Sequence, residues 1–227
     1  MRIEIVLYEG FEELDAIAPF DVLSNLARQG PELAVALVTP GGPDRVTAAH
    51  GAVLETHERL SERPEVLIVP GGGWADGARA GTRAEVADGA LPAAIAKRHA
   101  AGTLVASVCT GAMLLAAAGL LTARPATTHR VAREDLRAAG AQLIDARVVD
   151  DGDLITAGGV TSGLDLGRWL AERLFGARAA LALEQALEYE RRGTVWRADR
   201  RREPHEGIGP VEGTALSHTK SSARSYS

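Results

Sequence analysis

Continuous apolar runs alternate with stretches of helical periodicity over most of this chain. Ile3-Glu4-Ile5-Val6-Leu7-Tyr8, Ala34-Val35-Ala36-Leu37-Val38, Val66-Leu67-Ile68-Val69 and Gly102-Thr103-Leu104-Val105-Ala106-Ser107-Val108 read as strands. They lack the in-out alternation of a half-exposed strand, so both faces should be covered. Between the first two, Glu13 to Gln29 places Leu14, Ile17, Ala18, Val22, Leu23 and Leu26 at i, i+3, i+4 spacing, and Gly30 closes that helix. Pro19 inside it predicts a kink or an N-terminal turn. Further helices are predicted over Ala90–Ala101, Gly111–Gly119, Glu134–Ala139, Thr161–Phe175 and Ala177–Tyr189. Val46 to Leu54 alternates weakly, as a short antiparallel excursion would. Arg147 to Thr156 reads as a hairpin turning at Asp151-Gly152. Strands interleaved with helices in this way predict a mainly parallel sheet with a helical layer on each face.

Composition changes after Trp196. Arg197 to Arg202 holds four arginines, and Glu203 to Ser227 is rich in Ser, Gly, Pro and Thr. Such a segment buries too little apolar surface to offset its ordering entropy. The expected organisation is an α/β domain over 1–198 and a disordered tail over 199–227. One cysteine in 227 residues excludes an intrachain disulfide and a multi-cysteine zinc site, and suits a reducing cytoplasm. No apolar run approaches the ~20 residues that span a bilayer, and Glu4 interrupts the first one. A net charge of −5 argues against nonspecific nucleic-acid binding. The expectation is a cytoplasmic protein that engages a small molecule, with no nucleic-acid or membrane partner.

The single cysteine, Cys109, falls where the fourth strand pattern gives way to a helix pattern. A lone cysteine is most often a small buried hydrophobe. Its position argues otherwise, because open α/β sheets bind ligands at the carboxyl ends of their strands. Gly111, two residues on, provides the absent Cβ that a sharp strand-to-helix turn requires. At the amino end of a helix, unpaired N–H groups favour a thiolate, which predicts a lowered thiol pKa and a nucleophile.

Three more segments follow predicted strands on the same side. Gly10-Phe11-Glu12-Glu13-Leu14-Asp15 brings three carboxylates to a helix start. Asp15, followed by Ala16-Ile17-Ala18-Pro19, is the one expected to point inward. Burial beside a thiolate would raise its pKa and keep it protonated as a proton donor. Gly71-Gly72-Gly73 can gather backbone N–H groups into an anion nest or oxyanion hole. In Ala126-Thr127-Thr128-His129-Arg130, His129 either faces the site or caps the next helix. Thr110, directly after the nucleophile, either orients water or substrate or is an ordinary cap. Neither GxGxxG nor GxxxxGK[ST] occurs at the required places, which removes the usual nucleotide readings.

Taken in order, Phe11 to Pro19, Val69 to Gly73, Val108-Cys109-Thr110-Gly111-Ala112, Ala126 to His129 and Ile155 to Gly163 resemble the ThiJ/PfpI superfamily over about residues 1–190. Cys-Thr-Gly and Thr-Ala-Gly-Gly-Val-Thr-Ser-Gly are most similar to its isonitrile hydratase branch. The resemblance implies a flavodoxin-like three-layer α/β sandwich with a cysteine nucleophile elbow, working as a homodimer. It implies Cys109 as nucleophile, Asp15 as acid and Gly72 as backbone donor. Thr110 stands where peptidase-like and chaperone-like members more often carry His or Ala. The implied reaction is hydration of an isonitrile to an N-substituted formamide, without metal or organic cofactor. Glyoxalase-like hydration, deglycation and a cysteine redox sensor are the alternatives.

Overall fold

The computed structural model describes residues 1–198 other than 31, 43, 57 and 76–78, so the tail expected over 199–227 lies outside the described residues. Its elements run β1 (Arg2–Val6), α1 (Glu13–Arg28), β2 (Ala34–Thr39), β3 (Arg45–Thr47), β4 (Val53–Glu55), β5 (Glu58–Arg59), β6 (Val66–Val69), α2 (Thr82–Asp88), α3 (Ala90–Ala100), β7 (Leu104–Val108), α4 (Gly111–Ala117), β8 (Pro125–Ala126), α5 (Arg133–Ala138), β9 (Gln142–Leu143), β10 (Val148–Asp150), β11 (Leu154–Ala157), α6 (Ser162–Phe175), α7 (Ala177–Leu187) and β12 (Trp196–Arg197).

Eight strands form one sheet in the order β12-β10-β11-β7-β6-β1-β2-β5. Every neighbouring pair is parallel except β10–β11, the hairpin that the Asp151-Gly152 turn predicts. Its centre, β2-β1-β6-β7-β11, follows the flavodoxin-like strand order, in which the connection reverses direction between β1 and β6. Helices α1, α6 and α7 pack together as one layer, and α2, α3 and α4 as the other. The fold is thus a flavodoxin-like α/β sandwich.

The strands carry continuous apolar sequence because both faces are covered. Ile3, Ile5, Val6, Leu67, Ile68, Val69, Val105 and Val108 are all essentially inaccessible. Each such side chain stabilises the fold by about 1.5–3 kcal/mol relative to exposure. α1 runs unbroken past Pro19, which sits in its second turn rather than at its start. The crossing helix α6 presents glycine there, since a Cβ on Gly163 would come within 3.1 Å of Pro19 Cδ, and one on Gly167 within 3.0 Å of Val22 Cβ. β3 and β4 form the expected antiparallel excursion. The sequence pattern does not disclose α2, β5, β12 or the β8–β9 pair. The strands among them are two residues long, too short to show alternation, and tertiary contacts define them. Among the described residues, no helix is long and apolar enough to cross a membrane.

Candidate active site

The turns after β1, β6, β7 and β11 meet at one end of the sheet, beside the reversal point. Cys109 occupies the tightest of them. Its φ of +58° lies in the left-handed region, which a side chain disfavours by about 1–2 kcal/mol. The surroundings enforce it: Cys109 N–H donates to the carbonyls of Ala157 (3.0 Å) and Gly158 (2.8 Å), and Thr128 Oγ1 donates to Cys109 O at 2.8 Å. α4 starts two residues later against the end of β6, so a Cβ on Gly111 would collide with Val69 O and lie 2.7 Å from Pro70 O. The residue is 6 % exposed, so the thiol lies almost wholly buried in the turn.

The expected thiolate is not the resting form. Burial pushes the Cys109 thiol up to about 12, with the negative charge of Asp15 adding to it. The N–H groups of Val160 and Thr110 favour the anion but do not overcome burial. Helix-end donors are legible in a sequence, whereas desolvation, which wins here, is not. Val160, at φ +38°, acts on the sulfur through its backbone N–H.

Asp15 is fully inaccessible in the first turn of α1. Burial pushes its carboxyl up to about 8, opposed by the Gly71 N–H bond and reinforced by nearby Glu12. The direction agrees with the inward, protonated acid read from the sequence. Asp15 Oδ2 accepts from Gly71 N at 3.0 Å, so its proton belongs on Oδ1, which has no other partner among the described residues. The carboxyl and the Cys109 side chain are close enough that each shifts the other's pKa.

The glycine loop differs from the anion nest that its sequence suggested. Two of its three N–H groups are already engaged: Gly71 N with Asp15, and Gly72 N with Thr110 Oγ1 at 2.9 Å. Its carbonyls receive Glu12 N (on Gly71), Thr82 N (on Gly72) and Arg83 N (on Gly73). The glycines serve close approach, because a Cβ on Gly71 would lie 2.6 Å from Thr110 Oγ1, and one on Gly72 2.6 Å from Glu12 N. Thr110 is likewise committed. Tyr8 OH donates to Pro70 O (2.7 Å), so Thr82 must donate to Tyr8 (3.0 Å) and Thr110 to Thr82 (3.1 Å). That orders the hydroxyls into one buried chain and leaves Thr110 Oγ without a proton for water or substrate. Neither Gly72 N nor the Thr110 hydroxyl is a free substrate contact, contrary to the sequence reading.

Of the two roles the sequence left open for His129, the structure shows the cap. The residue caps the 3-10 turn Arg130–Ala132, Nδ1 accepting from Val131 N at 3.3 Å, which places the neutral ring's proton on Nε2. The ring also packs on the β11–α6 turn, where a Cβ on Gly159 would collide with His129 Cδ2. Burial, then Arg130, holds its pKa below the ordinary histidine value, with Glu12 opposing. Glu12, half-buried near both His129 and Asp15, is a site neighbour that the sequence reading had not singled out. Glu12, Glu13 and His50 also gather ligand atoms within 4.8 Å of one another, but Glu13 Oε1 is engaged by His50 N (2.8 Å) and Ala52 N (3.3 Å).

Residues 1–173, from β1 to within α6, match the DJ-1/PfpI family. The chain belongs to that family. Among curated DJ-1/PfpI relatives, the isonitrile hydratase of Pseudomonas putida is 35 % identical over 191 residues, covering 83 % of this chain and 78 % of its own length. A deglycase of Thermococcus kodakarensis is 31 % identical over 176 residues, covering 76 % and 96 %. A ThiJ/PfpI family protein from Pseudomonas syringae superposes with a TM-score of 0.74 at 30 % identity, over 85 % of this chain and 76 % of that one. In its broad class, this DJ-1/PfpI chain is a cysteine-dependent enzyme.

Proposed function

We propose that the protein hydrates an isonitrile, R–N≡C, to an N-substituted formamide through a thioimidate on Cys109. The observation that carries this reading is a thiol in the strand-to-helix turn beside a carboxylic acid that stays protonated near neutrality. The likeness to an isonitrile hydratase over most of both chains supports it.

An isonitrile carbon accepts a proton and a nucleophile at the same atom, and a neutral acid–thiol pair supplies both. Asp15 Oδ1–H protonates that carbon while sulfur bonds to it, and the thiol proton returns to the carboxylate. The product is R–N=CH–S–Cys109, with Asp15 neutral again. Asp15 then protonates the imine nitrogen and takes a proton from the water that adds to carbon. Collapse of R–NH–CH(OH)–S–Cys109 carries the hydroxyl proton back to sulfur through Asp15, releasing R–NH–CHO. One water is consumed and both groups are restored. Splitting a hard addition into two easier ones is the general benefit of covalent catalysis. The Val160 and Thr110 N–H groups stabilise charge on sulfur as its bonds form and break.

Formamide formation from an alkyl isonitrile, with intact-mass trapping of the adduct, is the direct assay. Cys109→Ala should show neither product nor adduct, and wild-type turnover in that variant would overturn the scheme. A thiolate mechanism would speed up with alkali. The neutral pair should instead lose kcat/KM above about pH 8, where Asp15 ionises. The 31 % identical deglycase favours a second reading on the same sulfur, glyoxalase-like or deglycating chemistry, which lactate release from methylglyoxal would report.

A further inference from the structure

The protein carries a net charge of −5, yet a cavity of about 300 Å³ beside the nucleophile turn is walled by arginine. Arg130, Arg133 and Arg147 contribute to the wall with Thr128, Gly159 and Ser162, and Asp145 is the only acid in it among the described residues. Two of the three guanidinium groups are anchored. Arg133 pairs with Asp145 at 2.8 Å, and Arg147 with Asp165 at 2.6 Å and with Thr161 Oγ1 at 3.1 Å. Arg130 has no ion pair or hydrogen bond from its side chain among the described residues, and its charge is felt by His129. A second cavity of about 610 Å³ adjoins through Asp145, Ala146 and Arg147 and adds Arg192 and Arg197. The excess of positive charge therefore extends beyond the first cavity.

This cavity is joined to the chemistry through the backbone. Thr128, on its wall, donates to Cys109 O, and Gly159, also on its wall, precedes Val160, whose N–H favours the Cys109 anion. Cys109 itself is not on the wall. The cavity therefore adjoins the backbone of the nucleophile turn. We propose that it is an anion subsite, and that the substrate is an isonitrile bearing a carboxylate at its far end. This proposal rests on the isonitrile reading for the reacting group and on the arginine cavity for the acidic one. A guanidinium pairs with a carboxylate by two parallel hydrogen bonds, and Arg130 is the wall arginine whose charge no acid matches among the described residues. Binding energy from a remote group of this kind orients the reacting centre.

The test pairs a neutral isonitrile with one of equal length ending in a carboxylate, on wild type, Arg130→Gln and Arg137→Gln. Arg137 pairs with Glu134 at 2.6 Å on α5, and its variant controls for the lost charge. Wild type and Arg137→Gln should prefer the carboxylated substrate by about tenfold or more in kcat/KM, chiefly through KM. Arg130→Gln should bring that ratio close to one. A binding measurement independent of turnover uses succinate by calorimetry, with binding expected for wild type and Arg137→Gln and lost in Arg130→Gln. Equal use of both substrates by wild type, or a preference surviving Arg130→Gln, overturns the proposal. Failure to hydrate any isonitrile while succinate binding still depends on Arg130 would remove the reaction and leave the anion subsite standing. Absence of Arg130-dependent succinate binding would remove the subsite whatever the reaction.

Discussion

The burial that keeps Asp15 protonated near neutrality also ties the stability of the fold to pH. Its folded pKa is about 8 against an ordinary 3.8. Below about pH 4 both folded and unfolded chains hold the proton, and the full stability is present. Between pH 4 and 8 the unfolded chain releases that proton and the folded chain keeps it, so stability falls as pH rises and levels off above 8. Asp15→Asn removes the ionisable group. Urea unfolding should show a gain of a few kcal/mol for this variant at pH 8 and little change at pH 4, since each tenfold difference in proton affinity is worth about 1.4 kcal/mol. Formamide production should meanwhile fall by about 10²–10³, the loss expected for a proton-transfer group. Cys109→Gly makes a parallel case. Removing the side chain at φ +58° should raise stability by about 1 kcal/mol in thermal unfolding while abolishing turnover. The inward acid and the special cysteine were legible as residue types in context. The protonation state of the sulfur was not, because desolvation depends on neighbours contributed by four separate turns.

At the scale of elements, the site depends on how closely three turns approach one another. Gly111→Ala would drive a Cβ into the last carbonyls of β6, rigid backbone that cannot yield without moving β6 or α4. A loss of about 3 kcal/mol is expected in denaturant unfolding, at the upper end for overpacking. Thr110 joins α4 to the glycine turn and, through Thr82 and Tyr8, to α2 and β1. Thr110→Val keeps the shape and removes the hydroxyl, leaving Gly72 N–H without an acceptor and Thr82 Oγ1 with Tyr8 as its sole partner among the described residues. It should lower stability by about 2 kcal/mol, whereas Thr110→Ser should keep most of it. A wild-type melting temperature for the valine variant would show that the hydroxyl chain is dispensable. Periodicity located α1, α3, α6 and α7 because each is long enough to show one face. It passed over α2, where Thr82 is the only buried residue of the seven between Gly81 and Gly89, so no apolar face marks it.

For the whole molecule, β12 closes the edge of the sheet on β10, and Ala198 N–H donates to Asp150 O at 3.0 Å. Arg197 stacks over Trp169 at 5.6 Å from the ring centroid, and Arg173 and Trp169 Nε1 hold Asp150 beneath it. We propose 1–198 as the folding unit. A chain ending after Ala198 should melt within about 2 °C of the full chain, whereas one ending before Thr194 should lose several degrees. Each lost kcal/mol lowers the midpoint by about 2–4 °C at this size.

The sequence by itself determined the parallel sheet, its helical layers, the chain order of the site-bearing turns and the sulfur at their junction. Those follow from local hydrophobic period and turn chemistry, which neighbouring residues settle among themselves. Only the tertiary structure decided which hydrogen-bond donors remained free, where the proton rests between Asp15 and Cys109, and that Arg147 shares one wall with Arg130 and Arg133. Each of these depends on desolvation and on distances between residues far apart in the chain, which no linear pattern encodes.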